Sequence, residues 1–411
     1  MSTQYENLAQ SLQKFYETGF EPLEGVALNA RDVKESLSRS FRGKDLAKAV
    51  GVPDVRYIYD AEQSGHLPSP KSDKGTRQGS SLADVIRMQE HFKTRPWRHS
   101  EDTPAIIAFT NFKGGCWKTT TSWYAGTCYA NQGFRVLLVD VDPQASLTLN
   151  CGLLPDIEVD DEDSLGPHLK DEADRSAKSL IRDTYLPNMK IIPACLGLAT
   201  VDLKLTLQMM NSSTDTDKLE VLSRLDAVIE EVQDDFDIII MDGTPSLGVL
   251  TMNIILAANI IVAPVPTELT DFASTLSFCE LVAQQMSLVG NVAQAAGVDP
   301  DAPHVLFLPT RFSPEGTKTS GSQEVLELIQ ETFGDRALST PIRKHDAAVS
   351  NLSLYRRTAF DVNSANPACG SKARNSAVEN FGEVFDEIFD KAIRPKWLHG
   401  TDYLRATEGA K

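Results

Sequence analysis

Between Ala105 and Gly133 the chain passes from an apolar, strand-like run, Ala105 to Phe109, into Phe112-Lys113-Gly114-Gly115-Cys116-Trp117-Lys118-Thr119-Thr120, and then into a helix-like stretch that Gly133 would end. A strand feeding a helix through a glycine loop points to layered α/β architecture. The loop is not the ordinary one for phosphates, which needs glycine where Phe112 and Trp117 stand. It carries instead a second lysine, Lys113, five residues ahead of Lys118. Gly114 and Gly115 let backbone N–H groups turn inward on phosphates, and the start of the helix adds partial positive charge. Lys118 would then meet the β- and γ-phosphates and Thr119 would reach Mg²⁺, with Cys116, Trp117 and Thr120 completing the wall of a nucleotide site. Lys113 cannot easily curl back onto the nucleotide of its own loop, so the nucleotide of a second subunit is its natural target. A plain strand-to-helix turn with two solvated lysines is the bland alternative, and the next motifs weigh against it.

Arg135-Val-Leu-Leu-Val-Asp140-Val141-Asp142-Pro143-Gln144 is a second buried-strand run, ending in carboxylates at i and i+2, which share one face of a strand. One, Asp140, suits the metal side, and the other, Asp142, the water that attacks the γ-phosphate. Phe236-Asp-Ile-Ile-Ile-Met-Asp242 is a third such run, closing on a further candidate metal-side acid. A lone acid at a strand end is usually a cap or a turn residue. Three elements in this order reverse that reading.

With those residues in view, the chain resembles the ParA family of deviant Walker-A partition ATPases, in particular the larger type Ia proteins with their own operator-binding domain. The motifs are Lys-Gly-Gly-x-x-Lys-Thr at 113–119 and Asp-x-Asp-Pro-Gln at 140–144, supported by Pro264-Val-Pro-Thr-Glu-Leu-Thr-Asp271-Phe272-Ala-Ser274 and by Asn363-Ser-Ala-Asn366-Pro367. Roughly residues 103 to 393 are covered. The departure is Cys116-Trp117, where many relatives have Val-Gly. The resemblance implies ATP/ADP and Mg²⁺ as cofactors, a homodimer formed on ATP, nonspecific DNA binding in the ATP state, slow hydrolysis stimulated by a ParB-like centromere-binding protein, and a cytoplasmic, nucleoid-associated place. It also implies that Pro264 and Arg311 border the nucleotide, and that Lys318, Arg343 and Lys344 contact DNA.

At 411 residues, two domains are the expectation. No run of about 18 apolar residues suggests a membrane span, and the polar start, Ser2 to Gln13, does not read as a signal peptide. Six scattered cysteines fit a reducing compartment. The formal charge of −17 argues against a chain coated for nucleic acid. Charge is uneven, however: residues 155 to 174 read as an acidic, solvated insertion, whereas residues 31 to 100 hold 14 Lys/Arg against 9 Asp/Glu.

The basic region has its own order. Residues 41–50 read as a short helix, Gly51 breaks it, and Pro53 is suited to the first turn of a second helix through Glu62. Gly65 to Lys71 reads as a wing, and Ser81 to Phe92 as a closing helix. This order is similar to a winged helix-turn-helix. Arg56 is the candidate for a base edge, and Lys71, Lys74 and Arg77 for phosphates.

The expected organisation is an N-terminal helix within 1–35 that pairs subunits, a winged helix-turn-helix at 36–95, a linker at 96–104, an ATPase domain at 105–395 with a mostly parallel sheet and helices on both faces, and a tail at 396–411. The last helix, Ser376 to Ile393, carries Phe381, Val384, Phe385, Ile388 and Phe389 on one stripe with acids outside it, which favours core packing over anionic lipid. A second reading, a transcriptional repressor with nucleotide only as ligand, is open at this point.

Overall fold

The computed structural model describes residues 6, 8–15, 18, 37–71, 74–111, 113–246, 248–298, 301–314 and 321–399. Lys318 and residues 401–411 lie outside this set, as does most of the N-terminal segment. Of the expected N-terminal helix, residues 8–15 are helical, with Leu8, Leu12 and Phe15 exposed.

Seven strands among the described residues form one sheet: β1 (Ala105–Phe109), β2 (Val136–Asp140), β3 (Arg182–Asp183), β4 (Met189–Ile192), β5 (Ile238–Asp242), β6 (Ile260–Pro266) and β7 (His304–Thr310). Their order is β3-β4-β2-β5-β1-β6-β7, and every pairing is parallel except β3 with β4. The central strands are apolar throughout because both faces are covered. Ala105, Ile107 and Phe109 of β1 point into one core, while Ile106 and Ala108 point into the other. The first core is roofed by the helices Lys118–Gln132 and Ser371–Ile388, the second by Val201–Asn211, Arg224–Val232 and Val249–Ala257. Gly126 lets the helix Lys118–Gln132 lie close on the sheet, since a Cβ there would stand 2.6 Å from Leu138 Cδ2. β3 and β4 were not anticipated: β4 has only four residues and β3 two, too short to register as periodic runs.

The expected three helices of the basic region are Gly43–Val50, Arg56–Gln63 and Leu82–Phe92, with Lys71 bridged to Arg77 across the wing. The second helix begins at Arg56, not at Pro53, with Val55 at its N-cap and the Asp54 carboxylate just ahead accepting the Arg56 N–H at 2.9 Å. A capping box between Ser81 and Asp84 starts the third.

This unit is docked on the sheet domain. Gln89 Nε2 donates to the carbonyls of Ala49 (2.8 Å) and Gln132 (3.0 Å), and Arg95 Nε donates to Gly133 O (3.1 Å). Arg39 and Ser40 pair with the 361–363 segment. The expected linker is itself packed: Arg98 N donates to Asp237 Oδ1, and Trp397 Nε1 donates to Thr103 O at 3.0 Å. The acidic stretch, expected to be solvated, buries Leu165 and Leu169, and ion pairs join Asp161 to Lys170 and Asp163 to Arg182. The last long helix packs as expected, with Phe381 stacked on Tyr124 at 4.2 Å, but it runs Ser371–Ile388 and continues as a π turn, Phe389–Ile393. No helix among the described residues is long and apolar enough to cross a membrane.

Candidate functional site

The carboxyl ends of β2, β5 and β1 lie side by side, with Asp140 in register with Asp242 and Asp242 in register with Phe109. Three strand-end segments therefore converge on one edge: the two-lysine loop after β1, the Asp140–Asp142 turn after β2, and Asp242 at the tip of β5. Ligands gather at that edge of a parallel sheet.

The loop is built for a tight reversal. Gly115 has φ +74, and a Cβ at Gly114 or Gly115 would meet nothing within 4 Å, so the loop faces open space. Trp117 has φ 72 and is the N-cap of the helix Lys118–Gln132. That left-handed conformation costs a side chain of this kind about 1–2 kcal/mol, and Trp117 is one of the residues that depart from the family pattern. The Lys118 side chain is buried and donates from Nζ to the Lys113 carbonyl at 2.9 Å, cinching the loop. The other lysine points elsewhere: Lys113 Nζ lies 2.5 Å from Asp271 Oδ1, and Asp271 is buried in the first turn of the helix Leu269–Ala295. Asn111 ties the loop to β6 by donating to Pro264 O at 2.9 Å, and Thr310 Oγ1 donates to Cys116 O at 3.2 Å from β7. Thr119 and Thr120 follow in the first helical turn, half-buried. Arg311, at φ 56, pairs with Glu268 at 3.3 Å, and Lys344 lies 4.0 Å from the same carboxylate.

The three acids differ in what they have left to offer. Asp140 is fully buried; its Oδ2 accepts from Thr148 N (2.9 Å) and Thr148 Oγ1 (2.7 Å), and its Oδ1 from Asp142 N (3.2 Å). Burial raises its pKa to about 6 against these hydrogen bonds. Expected on the metal side, Asp140 has both oxygens engaged by the 142–148 turn. Asp242 accepts from Ser122 Oγ at 3.2 Å through Oδ1, while its buried Oδ2 has no partner. Burial first, then the negative charge of Asp140, raises Asp242 to about 8, with the Thr119 hydroxyl and Lys118 working the other way. Asp142 is half-buried and accepts the N–H of Gln144 at 2.9 Å. The orphaned Asp242 oxygen beside the Thr119 hydroxyl, with the buried Asp140 adding negative charge behind them, offers the oxygen donors a hard divalent cation takes. The residues present fit Mg²⁺.

Ser122 and Thr148 were missed in the sequence. Ser122 is three residues beyond Thr119 and so shares its helix face, a signal that could have found it. Thr148 carries no such signal, because its place depends on the short helix Ser146–Cys151 folding back under Asp140.

The expected DNA contacts fall in two places, neither near the strand-end cluster in sequence. Arg56 is exposed, its Nε on Asp54 at 3.0 Å; Lys71 and Lys74 are exposed on the wing. Arg77 is partly exposed: its guanidinium is held by Glu62 at 2.8 and 3.0 Å and lies over the Tyr59 ring, so it also fastens the wing to the second helix. Arg343 is exposed, bridged to Phe312 just beyond β7, with Lys344 beside it.

Comparison with known proteins agrees with this architecture. A family model described as an AAA domain matches residues 104–286. Protein SopA of Escherichia coli (strain K12) is 31% identical over 401 residues, covering 95% of this chain and 99% of its own. The sporulation initiation inhibitor protein Soj of Bacillus subtilis (strain 168) is 40% identical over 163 residues, 40% of this chain and 58% of its own. Among solved structures, one described as a partition protein shares the fold at TM-score 0.60 and 19% identity, covering 90% of this chain and 98% of that one. Cyanothece McdA, solved in complex with ATP, shares it at TM-score 0.55 and 17% identity over 70% of this chain and 97% of that one. With 31% identity over nearly the whole length of both chains to SopA, the chain belongs to the ParA/Soj family of partition ATPases.

Proposed function

We propose that this chain is a DNA-partition ATPase that takes Mg²⁺-ATP at the Lys113–Thr120 loop, dimerises on it, and binds DNA without sequence preference in that state. It hydrolyses ATP slowly under stimulation by a ParB-like centromere-binding protein, and represses its own operon through the unit at 36–95. The observation that carries this reading is the convergence of Lys118, Thr119, Asp142 and Asp242 on one sheet edge, with Lys113 turned away onto Asp271.

Bound Mg²⁺ supplies charge neutralisation for the β- and γ-phosphates. Thr119 and the free oxygen of Asp242 would hold it. Lys118 leaves the Lys113 carbonyl for the phosphate oxygens, a charge-assisted bond replacing a neutral one. Asp142 orients the attacking water, and Asp140, locked by Thr148, fixes the turn that aims Asp142. Pro264 borders the nucleotide through its backbone, and Arg311 reaches toward the base. Lys113 exchanges Asp271 for the partner's phosphates, so its contribution appears only in the dimer.

Arg56, Lys71 and Lys74 read the operator, while Arg343, Lys344 and Lys318 meet the phosphates of arbitrary DNA. The test is filter or fluorescence binding to operator and to random duplex, with and without ATP. Random-duplex binding should require ATP, whereas operator binding should not be lost without it. Equal binding to random DNA in both nucleotide states would contradict the proposal.

A further inference from the structure

His99 and Glu101 lie in the segment that joins the N-terminal unit to β1, and His399 follows the short turn Arg394–Lys396 at the other end of the described chain. One ligand atom from each of the three lies within 4.8 Å of the others. The two imidazoles lie face to face, with centroids 5.1 Å apart and 30° between planes. None of these side chains belongs to the strand-end cluster.

A fourth residue supplies an independent pointer. The Asp102 side chain is 2% exposed, its Oδ1 lies 2.9 Å from His399 Nδ1, and its Oδ2 is buried without a partner. Asp102 also accepts the His399 backbone N–H at 3.3 Å. A buried carboxylate on Nδ1 makes that nitrogen a donor and turns the Nε2 edge of the ring outward. Nε2 in turn lies 3.1 Å from Glu101 Oε2. Zinc bonds of about 2.0–2.2 Å to nitrogen and oxygen at a tetrahedral angle put two ligand atoms about 3.3–3.6 Å apart, a few tenths of an ångström beyond the present contact.

We propose that His99, Glu101 and His399 form a binding site for a divalent transition cation of the zinc class, with Asp102 as the buried carboxylate that orients His399. Two imidazoles and one carboxylate with an open fourth position suit Zn²⁺ better than Mg²⁺ or Ca²⁺, which select oxygen donors. The buried acid behind a ligating histidine is the supporting arrangement that fixes tautomer and ring orientation. The ion would tie residues 99–102 to the C-terminal turn, which are 297 positions apart between Asp102 and His399. It would therefore close the loop that contains the whole sheet domain and hold the connection between the DNA-binding unit and that domain.

The test is isothermal titration of the full-length, chelator-treated protein with ZnCl₂ near neutral pH in excess Mg²⁺, which occupies the strand-end acids. The parent should bind one zinc ion saturably. His99→Ala and His399→Ala should each weaken binding at least about 10-fold, and Asp102→Asn by about 10- to 100-fold, as loss of a supporting carboxylate does. The His66→Ala/His91→Ala double variant, which removes the other stacked pair, should bind as the parent does. Hydrogen exchange at 97–103 should slow on zinc addition in the parent and not in Glu101→Gln, an exposed position whose variant keeps the test available if a histidine variant fails to fold. Undiminished zinc binding in the His99→Ala/His399→Ala double variant, or no saturable binding by the parent, would overturn the proposal.

Discussion

Asp242 shows how much of this site is decided by single atoms. Its position at a strand end is legible in the sequence, but its state is not: burial and the neighbouring Asp140 raise it to about 8, and one oxygen is left over. The same holds for the pair after β2. Spacing placed Asp140 and Asp142 on one face, yet only the fold shows Asp140 enclosed by Thr148 and Asp142 half-open. Lys118→Ala should abolish ATP binding, since no other side chain replaces a buried ammonium at the loop; equilibrium dialysis with labelled ATP checks this. Lys113→Ala should bind one nucleotide per monomer yet fail to gain the ATP-dependent dimer contact. Sedimentation that shifts with ATP equally in variant and parent would rule out a trans role. The pairing of Arg77 with Glu62, 15 residues away, was likewise not legible. A pairing between elements leaves no mark in a local pattern.

At the scale of elements, the strongly apolar strands were readable because burial on both faces demands continuous runs. The short β3 and β4, and the start of the second N-terminal helix, were set by local hydrogen bonds and by packing instead. The segment 339–344 shows the same dependence. Burial raises the Glu387 carboxyl, but the N–H groups of Ser339 and Thr340, the Ser339 hydroxyl and Lys391 prevail and hold it below its usual 4.5. A depressed folded pKa means stability that is present above the unfolded value and lost as pH falls through the folded one. Glu387→Gln should therefore cost about 1–2 kcal/mol at neutral pH. By urea denaturation the gap to the parent should close below about pH 4; a gap constant with pH would show that the charge is not what matters. Such a loss would loosen the strand-like stretch that presents Arg343 and Lys344.

The whole molecule is less divided than its composition suggests. Gln89 and Arg95 join the N-terminal unit to the C-terminal end of the helix whose N-terminus forms the nucleotide loop. That helix of 15 residues is roughly 22 Å long, so the loop and the N-terminal unit share one rigid element. Gln89→Ala leaves the carbonyls of Ala49 and Gln132 unpaired, and should lower stability by about 1–3 kcal/mol, with faster hydrogen exchange in residues 43–63. DNA binding offers a separate check. Each phosphate contact contributes about −0.9 to the salt slope of log affinity, so removing charge at Lys318 and Arg343 should flatten that slope for random DNA in the ATP state while operator binding survives. Arg56→Ala should do the reverse, and equal losses on both DNAs would mean that one surface serves both. The central claim is that the strand-end cluster turns over ATP, and steady-state ATPase measurements on parent, Lys118→Ala and Asp142→Ala, with random DNA and the centromere-binding partner present, test it most directly. The account predicts slow, stimulated turnover in the parent and none in either variant, with ATP still bound by Asp142→Ala; parental turnover in Lys118→Ala would contradict it.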